Sequence, residues 1–128
     1  MIVAVYVKEG IVMASDSRIS FHQKHLNGTT VTERLGVHVS NTTYETFLCP
    51  NGTGISACGD ASINNAPIAG FIEQFIHEKV TESTPVTLIP QMLLDFFKEL
   101  SPQLDAVFHV AGYSGVEKPE PYICTGNL

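Results

Sequence analysis

Two amphipathic helical stripes stand back to back in this chain, and strand-like sequence lies on both sides of them. Ile68, Phe71, Ile72, Phe75, Ile76 and Val80 fall at i, i+3, i+4, i+7, i+8 and i+12, one face of a helix. Ile89, Met92, Leu93, Phe96, Phe97 and Leu100 repeat the pattern. Pro67 suits the first turn of the first helix, where a missing N–H costs little. Thr81 to Pro85 is a polar linker. Thr87 is placed to cap the second helix, with Pro90 inside its first turn, and Ser101-Pro102 ends it. Each stripe needs an apolar surface to cover, and the flanking strands must supply it.

Those strands are legible in part. Ile2 to Val7 is continuously apolar and rich in β-branched residues, as in a strand covered on both faces. Lys8-Glu9-Gly10 turns it into Ile11 to Ser15, so the chain opens on a hairpin. Residues 19 to 33 are mostly polar and read as loop, and Leu35 to Ser40 reads as a short strand. Asn41-Thr42-Thr43 reads as a turn. Tyr44 to Cys49 and Gly54 to Cys58 make a second hairpin, closed by Gly59-Asp60. After the helices, Ala106 to Ala111 is a buried-type strand. Gly112 to Pro121 reads as a long turn and Tyr122 to Thr125 as the return strand. Strands, two helices, strands, with no βαβ alternation: the class is α+β, in one domain spanning residues 1–128.

Composition narrows the function. With 44% apolar and 16% charged residues, the chain can build a core and is not of disordered type. The net charge is −6 and the seven Lys and Arg are scattered, so no basic stripe exists for nucleic acid. No apolar run approaches the roughly 20 residues that span a bilayer. Ile2 to Val7 is too short for a secretory signal, which places the protein in the cytoplasm. Cys49, Cys58 and Cys124 form no CxxC pair and read as free thiols. His22, His25 and His38 lack metal-site spacing and read as surface residues. His109, in an apolar strand, reads as a hydrogen-bonded core residue, and Cys58 as a small buried one. No phosphate loop, dinucleotide fingerprint or GxSxG elbow occurs, and neither cofactor nor metal is implied.

Four segments in order resemble proteasome β-type subunits of the N-terminal-nucleophile (Ntn) hydrolase family. Gly10-Ile11-Val12-Met13-Ala14-Ser15-Asp16-Ser17-Arg18 is similar to the family's GVVLAADSR segment. Gly54-Ile55-Ser56-Ala57-Cys58-Gly59-Asp60-Ala61 resembles the GIAxxGDA strand end. Two helices follow, and Phe108-His109-Val110-Ala111-Gly112-Tyr113 resembles the next strand of the family. The resemblance runs from Ile2 to about Thr125 and implies an αββα sandwich. This chain would supply the first half of it: antiparallel sheets with two helices on one face, and nothing for the C-terminal side.

The resemblance also implies a chemistry. In the family an N-terminal Thr, Ser or Cys attacks a peptide carbonyl, with its own α-amine as base. Asp16 falls on the carboxylate that tunes this pair, and Arg18 on the basic residue after it. Backbone N–H groups of Ser56, Ala57, Cys58 and Gly59 would hold the oxyanion. Counting back from Asp16, the nucleophile would fall just before Met1, and neither Met1 nor Ile2 can replace it. Bulky Ile2 also protects Met1 from trimming. The family Lys position falls on Glu45, or on Arg34 in the other alignment. A Glu facing Asp16 repels it and raises a carboxylate pKa, the reverse of activating a base. The expectation is a threonine-peptidase relative, with peptide as the possible substrate, inactive as written. The alternative is a non-catalytic assembly subunit that keeps the fold. Helices on one side only leave the other side of the opening strands to a homo-oligomer.

Overall fold

The computed structural model describes residues 1–16, 19–40 and 45–128. Arg18, the expected turn at 41–43 and Tyr44 lie outside the described residues. The architecture is mixed α+β with antiparallel sheets and two helices. Strands β1 (Ile2–Val7) and β2 (Gly10–Ser15) pair from Ile2↔Ser15 to Val7↔Gly10, as the opening apolar run requires. Strands β3 (Ile19–Asn27) and β4 (Thr30–Ser40) form a second hairpin. This corrects the expected loop over 19–33, and Leu35 to Ser40 becomes the end of a longer strand. Asn27-Gly28 was the signal: Gly28 takes the left-handed conformation (φ 64°) at a two-residue hairpin turn. Two register shifts, between Ile19 and Ser20 and between Phe21 and Gln23, break the alternation that would have marked β3 as strand.

The main sheet is four-stranded, in the order β10-β9-β6-β5. It holds β5 (Thr46–Leu48), β6 (Gly54–Gly59), β9 (Ala106–Ser114) and β10 (Glu120–Asn127). The expected turn over Gly112 to Pro121 shrinks to residues 115–119, because Tyr113↔Pro121 and Ser114↔Glu120 extend the ladder. A two-residue ladder, β7 (Ser62–Ile63) with β8 (Ala66–Pro67), turns through Asn64 and Asn65. Both are left-handed (φ 49° and 64°), which asparagine tolerates better than most residues. Helix α1 (Ile68–Lys79) follows, then a 3-10 turn (Val86–Leu88) and helix α2 (Ile89–Leu100).

Pro67 stands at the N-cap in extended conformation, one position earlier than expected. Thr87 does not cap α2. Leu88 holds that place with helical backbone angles, because the 3-10 turn already starts the winding and its Leu88 N–H bonds Pro85 C=O at 3.1 Å. Pro90 does sit in the first turn.

Alternation on β6 and β9 sends Ile55, Ala57, Phe108 and Val110 to one face, in register with one another. The helical stripes cover that face. Phe75, Phe97, Ile72, Ile89 and Leu93 are fully buried with Phe108, Ile55 and Val110. The Phe97 and Phe108 rings lie 5.2 Å apart, and Phe96 bridges Phe97 and Phe75 at 5.3 and 5.5 Å. Each such side chain contributes about 1.5–3 kcal/mol by leaving water.

The opening hairpin is not part of this sheet. Ile2–Val7 and Phe108–Ala111, expected in one sheet with both helices on one face of it, lie in two different sheets. The β1–β2 ribbon packs on the face opposite the helices: Met13 covers Gly54, and Thr46 Oγ1 donates to Ser15 Oγ at 2.8 Å. The layers run helices, four-stranded sheet, hairpin. On the hairpin's outer side Val3, Val5, Val7 and Val12 are 41–58% exposed, with Ala14 beside them, an uncharged apolar face. Among the described residues no helix is long and apolar enough to cross a membrane.

Candidate functional site

Register places the site. Ile2↔Ser15 is the last pair of the opening hairpin, so Met1 and Asp16 meet one step beyond it. The Met1 α-amine donates to Asp16 Oδ2 at 2.8 Å, and the Asp16 N–H donates back to the Met1 carbonyl at 3.1 Å. The hydrogen bond to Asp16 raises the amine's pKa above its ordinary 8.0, desolvation offsets part of this, and the charges of Asp16, Glu45 and Cys58 raise it further. At neutral pH the amine is an ammonium, and a protonated amine cannot accept a proton as a general base.

Glu45 stands one residue before β5, where its carbonyl accepts from Ala57 N–H at 2.9 Å. Its carboxyl lies within electrostatic range of the Met1–Asp16 pair. Burial raises its carboxyl pKa first, the Asp16 charge raises it further, and the ammonium offsets part of the effect. Glu45 Oε2 is buried with no hydrogen-bond partner among the described residues. Glu45, one of the two positions considered for the family Lys, lies near enough to Asp16 to feel its charge. Arg34 lies within β4.

The expected oxyanion backbone is mostly spoken for. Ala57 N–H is bound to Glu45, and β6 lies between two neighbours, so the alternate peptide groups of Ser56 and Cys58 turn toward β9. Gly59 remains at the strand end. Its φ is 112°, and a Cβ there would come within 2.5 Å of Asp105 O. The adjoining corner is clamped by Asp60 N–H to Asp105 C=O (2.8 Å) and Asp105 N–H to Asp60 Oδ2 (2.9 Å).

Sequence reasoning missed a hydroxyl chain between the layers. Thr46 Oγ1 donates to Ser15 Oγ at 2.8 Å and lies 2.9 Å from Ser56 Oγ, linking β2, β5 and β6 beside the amine site. Three hydroxyls on adjacent strands are visible only once the register is known. His109 faces this layer, opposite Ser56. Its Nδ1 is buried and unpartnered among the described residues, so the expected core hydrogen bond is not made there. The reason is its strand phase: it points away from the helix-side core. Cys58 is half-buried rather than buried, while Cys49 is the enclosed thiol, pushed up to about 11 by burial. Among the described residues no three His, Cys, Asp or Glu are grouped to hold a metal.

Compared with known proteins, the chain matches no family model, no curated protein and no solved structure.

Proposed function

We propose that this chain is a relative of the proteasome-type Ntn hydrolases, of threonine-peptidase lineage, whose site holds an α-amine without doing peptide chemistry. The observation that carries the reading is the Met1 α-amine bound at 2.8 Å by the carboxylate that ends the second strand. A helix layer over a sheet, with the opening hairpin on the other face, supports it. One feature argues against turnover: two carboxylates around that amine keep it protonated where the family chemistry needs a neutral base.

The role that remains is assembly. The outer face of β1–β2 presents Val3, Val5, Val7 and Val12 with no charge on either strand, so two copies of this acidic chain can meet there without repulsion. Three unpaired cysteines support a reducing compartment such as the cytoplasm. The test is turnover of fluorogenic peptides by the purified protein. No release above buffer is expected, and Asp16→Asn should change nothing. Release that disappears in Asp16→Asn would overturn the non-catalytic reading.

A further inference from the structure

Among the described strands β5 pairs with β6 alone and forms the edge of the main sheet. Two bonds fix its hydrogen-bonding phase. Ala57 N–H donates to Glu45 C=O, and Cys49 N–H donates to Thr53 C=O at 2.8 Å, each two residues from the Phe47↔Ile55 pair. Bonded and non-bonded pairs alternate along an antiparallel ladder. Phe47 therefore turns its peptide groups toward β6, while Thr46 and Leu48 turn theirs toward the open edge. Leu48 is 77% exposed there.

A groove lies on each side of this edge. On the helix side, Phe47, Pro50, Glu73, Ile76 and Val80 bound about 490 Å³. On the hairpin side, Ile11, Met13, Gly54 and Tyr113 bound about 300 Å³. Thr46, Phe47 and Leu48 line both. An exposed strand edge with a groove on each face is the arrangement that takes up an extended peptide: main-chain bonds hold it, and alternate side chains enter opposite grooves.

We propose that β5 is a docking strand for an extended segment of a partner protein, with a basic residue flanked by two apolar ones. The segment continues the antiparallel sheet. Its central residue lies opposite Phe47 and projects to the same face, toward α1. The apolar wall there suits an aliphatic stem, and Glu73 is the carboxylate among the described lining residues that can meet a cationic head. Among the described residues no Lys or Arg lines either groove, His77 is the basic side chain on the helix side, and the chain's net charge of −6 favours a basic segment. The two flanking residues lie opposite Thr46 and Leu48, exchange main-chain bonds with them, and project toward Ile11, Met13 and Tyr113. This site stands whether or not the fold ever carried a nucleophile.

Fluorescence anisotropy with the whole chain and a labelled octapeptide centred on Val-Lys-Val tests it. Saturable binding is expected, with at least tenfold weaker binding when Glu replaces the Lys. N-methylation of both Val residues should abolish binding, because their N–H groups face β5. N-methylation of the Lys, whose N–H faces away, should leave it unchanged. These arms use the unaltered protein, so misfolding cannot imitate them. Glu73→Lys, checked for folding by circular dichroism, should invert the preference between the Lys and Glu peptides. Absence of binding, equal sensitivity to the two N-methylation patterns, or an unchanged preference in Glu73→Lys would overturn the proposal.

Discussion

Gly59→Ala tests how the strand end beside the amine site is built. The backbone there holds φ at 112°, a region that L-residues with a Cβ occupy only under strain of about 1–3 kcal/mol. The new methyl would also meet backbone, 2.5 Å from Asp105 O and 2.9 Å from Ala106 Cα, and neither can rotate aside. Relief requires parting β6 from the residues leading into β9. That weakens the two bonds clamping Asp60 to Asp105, each worth about 0.5–1.5 kcal/mol. The loss should total about 3 kcal/mol, a large share of the roughly 5–15 kcal/mol that holds a domain together. With a urea slope of about 2 kcal/mol per M, the unfolding midpoint should fall by roughly 1.5 M. Gly70→Ala is the internal control. Gly70 lies within α1 with open space around its Cβ position, so the same chemical change should stabilise by about 0.5–1 kcal/mol. If both variants shift the midpoint alike, the geometry assigned to Gly59 is wrong.

Three further outcomes follow from the same contacts. A carboxyl whose folded pKa is raised costs stability as pH climbs from its unfolded value, 4.5 for Glu45, through the folded one; urea midpoints across that window should fall in the wild type and stay flatter in Glu45→Gln. Cys49, buried with a thiol pKa of about 11, should resist iodoacetamide until the chain unfolds, whereas the half-buried Cys58 and Cys124 should label in the native state, as peptide mass mapping would show. Sedimentation should find a dimer or larger assembly that Val5→Lys dissociates; a stable wild-type monomer would contradict self-association through the hairpin face.

The parts of the fold legible in the sequence are those where one periodicity governs. The uninterrupted apolar run of β1 and the two helical stripes each carry a single pattern, and Ile72, Phe75, Ile89 and Phe97 from the stripes all land in the core. The hairpin over residues 19–40 was hidden because register shifts scramble its alternation and polar residues dominate its composition. Thr87 misled because a cap signal is local, while the 3-10 turn that replaces it depends on Val86 being buried. At the site, Asp16 and Glu45 were singled out only through the family resemblance, because a lone Asp at a strand end or a Glu before a short strand carries no signal of its own. The buried Glu45 oxygen without a partner among the described residues, the hydroxyl chain and the two grooves along β5 arise from strand register across layers, which no local pattern encodes.

The central claim is that Asp16 holds the chain's own α-amine as an ammonium. An NMR pH titration of protein labelled with ¹⁵N-methionine reads that amine directly. Its midpoint is expected above 8.0 in the wild type and nearer the ordinary value in Asp16→Asn. Sign and linkage agree: the pair's contribution is complete below the unfolded pKa and is lost as pH rises through the folded one. A wild-type midpoint at or below 8.0, unmoved by Asp16→Asn, would contradict the account.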